Sequence, residues 1–156
     1  MGIAPHIARL RAFVGHEMLL LPSSAVLPVD EEGRVLLAWH AGATDGWSVV
    51  GGAVDPGEAP AEAAIREARE EIGVEIRLRR LLDVLGGPDY EVTYPNGDRT
   101  AYVCATYEAT IIGGDPAPAD GELTKVAWFT REELPTVPLS RFAHALLTAT
   151  GYLPAN

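Results

Sequence analysis

Cysteine occurs once in this chain, at Cys104. A single thiol can form neither an intramolecular disulfide nor a cysteine-rich zinc site, and it suits a reducing compartment. Its surroundings, YVCATY, are apolar, so Cys104 reads as a small core residue rather than a nucleophile. Long apolar runs are also missing. Residues 18–21 are too few for a secretory hydrophobic region or a membrane span, and no later run approaches span length. The expectation is a soluble, cytoplasmic chain with no membrane partner. Basic residues are scarce as well: 12 Lys+Arg stand against 22 Asp+Glu, a formal charge of −10. Each contact to a polynucleotide phosphate takes a Lys or Arg, so a nucleic-acid polymer is disfavoured. An acidic chain does suit divalent cations, which neutralise clustered carboxylates and present positive charge to a small phosphorylated ligand.

At 156 residues and 47% apolar, the chain fits one domain, 1–156, without repeats or an interdomain linker. Ile7, Leu10, Arg11, Phe13 and Val14 recur at helical spacing within 3–17, with Pro5 suited to a first turn. SSAVLPV and RVLLAW are strand-like runs separated by Asp30, Glu31, Glu32 and Gly33, a pattern that predicts a hairpin. Residues 47–50 form a further strand candidate ending at Gly51 and Gly52, followed by the loop DPGEAP. Between 60 and 72, Ala61, Ile65, Ala68 and Ile72 share one stripe, and Gly73 is placed to close a helix in the left-handed conformation. Strands are expected at 74–85, 91–94 and 100–112, with Pro95, Asn96 and Gly97 turning between the last two. A loop at 113–121, the strand KVAWFT and the helix RFAHALLTAT complete the chain.

On the 60–72 helix, about 100° per residue places Glu67, Glu70 and Glu71 within an arc of about 100°. Stability alone disfavours this arrangement. Glu67 and Glu71 are like charges at i,i+4, and Glu70 and Glu71 crowd the helix C-terminus, where the macrodipole prefers cations. Bound Mg²⁺ or Mn²⁺ would compensate, since these hard cations take carboxylate oxygens and keep positions for substrate phosphates. The bland alternative is a solvated helix, with Arg66 pairing Glu62 and Glu70 four residues away on either side.

The wider context favours the cation. GAVDPGEAPAEAAIREAREEIGV, residues 52–74, fills every position of Gx5Ex7REUxEExGU, where U is aliphatic: Gly52, Glu58, Arg66, Glu67, Glu70, Glu71 and Gly73, with Ala68 and Val74. Seven fixed matches would arise by chance in roughly one such chain in 10⁵ to 10⁶. This segment resembles the Nudix box of the Nudix hydrolase family. The resemblance implies an α/β fold, an α/β/α sandwich around a mixed β-sheet, in which a loop, helix and loop present metal to a pyrophosphate linkage.

Carried over residue by residue, it implies that Glu67, Glu70 and Glu71 hold Mg²⁺, with Mn²⁺ a substitute, and that the Gly51 carbonyl adds a ligand. Glu58 and Arg66 would orient those ligands, as a guanidinium can hold a carboxylate bidentately. Glu122 stands where similar proteins carry a later loop carboxylate that binds metal or activates water, and Asp120 could take its place. Glu70, Glu71 and Glu122 all stay open as the base. The implied reaction is attack of water on a phosphoanhydride of a small nucleotide substrate: ADP-ribose, another nucleotide sugar or a nucleoside triphosphate.

Val50 replaces the proline frequent before the paired glycines, and Trp39 and His40 stand where relatives often have basic residues. Trp39 and Trp47 are candidates to stack a base and His40 to contact a phosphate, although a Trp in a half-buried strand more often packs inward. Pro88 and Tyr90 fall near markers of two different substrate groups. The competing reading is a non-catalytic nucleotide-sensing module; the complete glutamate set argues for catalysis. A homodimer through the N-terminal helix is allowed.

Overall fold

A computed structural model describes residues 3–155. Helix α1 spans Pro5–Val14, followed by strands β1 (Leu19–Pro28), β2 (Val35–His40) and β3 (Val50–Ala53) and helix α2 (Pro60–Ile72). Strands β4 (Glu75–Leu85), β5 (Glu91–Thr93), β6 (Arg99–Gly113) and β7 (Leu123–Phe129) lead to helix α3 (Arg141–Ala149). The main sheet runs β3-β1-β6-β4, with β5 also on β6. It is mixed: β1 and β6 are parallel, and every other pair is antiparallel. A second, two-stranded sheet pairs β2 with β7.

Strand alternation splits the core in two. Ala25 and Leu27 of β1, with Val35 and Leu37 of β2, pack against Ala143, Leu146 and Leu147 of α3. Their neighbours Val26, Leu36 and Ala38 face the other way, onto Ala64, Ala68 and Ile72 of α2. Period-two strands between two amphipathic helices thus bury both faces, which yields the expected α/β/α layering.

The ends of α2 follow from its sequence. Pro60 occupies the first turn, where its missing N–H is no loss, and Glu62 accepts a hydrogen bond from the Ala59 N–H at 2.8 Å. Gly73 adopts φ 68° and closes the helix. At α3 the Ser140 hydroxyl accepts from the Ala143 N–H at 3.1 Å and also meets the Ser48 hydroxyl at 3.1 Å. Ser140→Ala is expected to destabilise by about 1 kcal/mol, lowering Tm by roughly 2–4 °C in a thermal melt.

Two expectations need correction. β1 and β2 share the turn at Asp30–Gly33 and one bridge, Val29 to Val35, but then diverge into different sheets instead of forming a hairpin. The strand expected at 47–50 lies later, so the paired glycines are inside β3 rather than after it. Short 3-10 turns at Pro88–Tyr90 and Leu134–Thr136 carried no helical periodicity. No described helix is long and apolar enough to cross a membrane.

Candidate active site

The acidic face of α2 is not solvated. Glu67 is 7% exposed and Glu71 1% exposed, because α2 packs this side beneath β3 as well as its apolar stripe beneath the sheet. Close approach demands glycine here. A Cβ on Gly52 would lie 2.3 Å from Glu67 Oε1, and one on Gly51 would lie 2.2 Å from the Ser24 carbonyl oxygen. Gly52→Ala is therefore expected to push the Glu67 carboxylate aside, lowering kcat/KM by at least about tenfold while the protein still folds. Kinetics and a thermal melt on the same sample check both halves.

Arg66 organises the cluster. Its Nε and Nη2 donate to the two Glu58 oxygens at 2.7 and 3.0 Å, a bidentate pair. Nη1 donates to Glu67 Oε1 at 2.9 Å and Glu70 Oε2 at 3.1 Å, and Nη2 also reaches the Ala53 carbonyl at 3.0 Å. The guanidinium holds the Glu58 carboxyl below its ordinary range. Glu71 Oε2 instead accepts from the Gly51 N–H at 3.1 Å. Gly51 thus reaches the cluster through its amide.

Electrostatics leave this cluster short of positive charge. Burial, then the neighbouring Glu67 charge, push the Glu71 carboxyl up to about 9 against the pull of the Gly51 amide. Burial likewise raises Glu67, although Arg66 opposes it. The loop after β6 donates its Ala117 and Ala119 N–H groups to the Ile72 and Glu71 carbonyls at the end of α2. That docking brings Asp120 and Glu122 near enough for both to raise Glu71. Asp120 Oδ1 accepts from the Glu122 N–H at 3.0 Å, whereas Oδ2 is buried without a hydrogen-bond partner.

Among the described residues no three acidic, histidine or cysteine side chains already converge in coordination geometry; Glu67 and Glu70 lean onto Arg66 instead. The donor set nevertheless fits a hard divalent cation. It offers several carboxylates, two of them on the buried side chains of Glu67 and Glu71, one orphaned buried oxygen on Asp120, and a single guanidinium among them.

β3 is shared between this cluster and a cleft of about 290 Å³ whose walls include Gly51, Gly52, Ser23, His40, Tyr94 and Tyr102. The lining contains no Lys or Arg. His40 Nε2 donates to the Val49 carbonyl at 3.3 Å. Trp39 and Trp47 do not line the cleft. They meet edge to face at 5.6 Å, Trp47 packs on Phe129 at 5.0 Å, and Lys125 sits 5.7 Å from the Trp39 ring. Tyr90 is core, T-stacked on Phe142 at 5.1 Å, and Cys104 is buried at the cleft floor. Tyr94 and Tyr102 escaped the sequence reading because they belong to a hairpin whose polar residues read as ordinary turn chemistry. Only alternation along 100–112, placing Tyr102 and Cys104 on one face, hinted at a shared wall.

The NUDIX domain family model matches residues 19–149. The NAD-capped RNA hydrolase NudC of Chromobacterium violaceum is 31% identical over 128 residues, covering 80% of this chain and 44% of that protein. Diphosphoinositol polyphosphate phosphohydrolase 2 of Mus musculus is 42% identical over 60 residues, 38% of this chain and 34% of that protein. The chain spans under half the length of the curated relatives it matches. The crystal structure of a MutT NUDIX hydrolase from Burkholderia pseudomallei superposes with a TM-score of 0.65 at 28% identity, covering 86% of this chain and 98% of that one. With a match that runs from β1 to the end of α3 and contains the acidic helix and its paired glycines, the chain belongs to the Nudix hydrolase family.

Proposed function

We propose that this Nudix pyrophosphohydrolase hydrolyses a phosphoanhydride bond in a nucleoside diphosphate-linked small molecule, such as ADP-ribose or another nucleotide sugar, or in a nucleoside triphosphate. One observation carries the reading: the Arg66-bound carboxylate cluster and a cleft without Lys or Arg meet at the same strand, β3. Charge is handled on one side and a neutral group on the other. Glu67, Glu70, Glu71 and Glu122 would hold Mg²⁺ or Mn²⁺, with Asp120 Oδ2 and the Gly51 carbonyl as further oxygens.

A cation held there would supply polarisation of phosphoryl oxygens, a lowered pKa for bound water and positive charge for the leaving group. Arg66 keeps Glu67 and Glu70 oriented, while the Gly51 amide fixes Glu71. Glu70, Glu71 or Glu122 takes the proton from the attacking water, and the choice turns on reach to that water. The cleft holds the remainder of the substrate. At about 290 Å³ it lies near the lower end of small-molecule sites, about 300–1,000 Å³, and suits one ring system rather than two.

The relatives' named substrates divide on charge. A diphosphoinositol polyphosphate is densely anionic and calls for several Lys or Arg, which this cleft lacks. NAD carries a diphosphate between two ring-bearing groups, which fits the arrangement better; the RNA body of an NAD-capped substrate finds little cationic surface on a chain of net charge −10. A turnover panel under Mg²⁺ and Mn²⁺ tests this: ADP-ribose, NAD, other nucleotide sugars, nucleoside triphosphates and a diphosphoinositol polyphosphate. A nucleotide turned over well is the expected result. Preference for the inositol compound overturns the substrate class.

A further inference from the structure

Arg11 is the most heavily bonded side chain outside the acidic cluster. It lies on α1, before the residues matched by the family model, and its side chain is only 9% exposed. Nη1 donates to the Gly15 carbonyl at 3.1 Å and the Glu17 carbonyl at 2.5 Å, fastening the turn after its own helix. Nη2 crosses to β6, donating to the Arg99 carbonyl at 2.7 Å and the Thr100 hydroxyl at 3.2 Å. Nε lies 3.7 Å from Asp98 Oδ2. A buried guanidinium on a short surface helix needs a reason, since burying a charge is unfavourable unless its partners are fixed.

The far ends of these contacts supply one. Asp98 sits at the base of the β5–β6 turn: its carbonyl accepts from the Tyr94 N–H at 2.9 Å, and its carboxylate takes hydrogen bonds from His16 at 2.8 Å and Asn96 at 3.0 Å. The strands leaving that turn carry Val92, Tyr94 and Tyr102 into the cleft. The Tyr94 and Tyr102 hydroxyls are 2.5 Å apart. Burial and Tyr94 raise the Tyr102 phenol, while the Thr100 hydroxyl and the Arg11 charge act in the opposite direction. Contacts therefore run from Arg11 to Thr100 and Asp98, and from these to the tyrosine pair.

We propose that Arg11 is a positioning residue for substrate: by clamping Asp98 and Thr100 it sets the Tyr94–Tyr102 hydroxyl pair, which grips the uncharged, hydroxyl-bearing half of the substrate beyond the diphosphate. The proposal rests on the cleft assignment made above. The wall of the cleft is thus braced from behind by a helix outside the family match. The tyrosine pair, in a lining without Lys or Arg, offers neutral hydroxyls suited to a sugar or base edge and no positive charge to a phosphate.

The test is steady-state kinetics on the best panel compound with wild type, Arg11→Met, Arg11→Lys, Tyr94→Phe and the Arg11→Met, Tyr94→Phe double variant. Arg11→Met is expected to raise KM about tenfold with kcat within about twofold, and Lys to restore part of the loss. The double variant should be less impaired than the product of the two singles, because both act on one pair. Unchanged KM in a folded Arg11→Met protein overturns the proposal, as does multiplicative loss in the double. Should Arg11→Met fail to fold, Tyr94→Phe and Arg11→Lys carry the same comparison. If wild type turns over no panel compound, the hydrolase reading has failed on its own. Calorimetry with ADP-ribose then reads the wall: about tenfold weaker binding by Arg11→Met supports the clamp, whereas unchanged binding, or none by wild type, refutes it.

Discussion

Glu71→Gln is expected to cut turnover by on the order of a thousandfold or more while leaving the metal-free protein at least as stable at pH 8. The two halves have one cause. Glu71 is 1% exposed, and its carboxyl is pushed up to about 9 by burial and by the Glu67 charge, so ionising it in place is unfavourable. An amide of the same shape still accepts from the Gly51 N–H at 3.1 Å but carries no charge to desolvate. Function loses what folding gains: a neutral amide is a poor ligand for Mg²⁺ and cannot act as a base. Loss of turnover of this size matches removal of a group that stabilises developing charge at phosphorus. Kinetics and thermal melts at pH 8, with and without Mg²⁺, check both halves. A variant that melts well below wild type would show Glu71 to be structural.

Stability of the metal-free protein is expected to fall as pH rises. The sign follows from proton counting. The Glu71 carboxyl ionises near 4.5 in the unfolded chain and near 9 in the native one, so between these values the native state holds a proton that the unfolded state has released. Its contribution is fully present below about 4.5 and is lost progressively as pH rises to about 9. Glu67, raised in the same direction by burial, adds to the trend. A slope on the order of 1 kcal/mol per pH unit follows. Mg²⁺ should flatten the dependence, since a bound cation favours the ionised carboxylates, and its binding near pH 7–8 should release protons into the buffer. Chemical denaturation from pH 5 to 9, on wild type and Glu71→Gln, isolates the effect. Equal slopes in the two proteins would remove Glu71 as its source.

How much of this was legible beforehand depends on range. α2 was readable because its stripe, its first-turn proline and Gly73 all lie within 14 residues, and the box fixed the spacing of its glutamates. What the local pattern could not supply was depth. One helix face looks the same whether water or β3 covers it, and only the fold shows that β3, glycine-paired, presses onto Glu67 and Glu71. The β1–β2 turn was similarly visible, but not the divergence after it, because pairing of β2 with β7 joins residues some 90 apart in sequence. Trp39 and Trp47 illustrate a third limit. Their chemistry suits base stacking equally well in a cleft or against Phe129, and tertiary packing alone decides. The Tyr94–Tyr102 wall was hidden for the same reason, since Arg11 reaches the Arg99 carbonyl and the Thr100 hydroxyl from 88 and 89 residues away.

Hydrolysis by the β3–α2 carboxylates can be read from metal-dependent turnover of the best panel compound in ¹⁸O-water, wild type beside the Glu70→Gln, Glu71→Gln double variant. Wild type is expected to turn over only with Mg²⁺ or Mn²⁺ and to place ¹⁸O on one phosphoryl product, with loss of on the order of a thousandfold or more in a variant that stays folded. Turnover undiminished in the folded variant, or nucleotide binding without turnover under either metal, would contradict hydrolysis by these carboxylates.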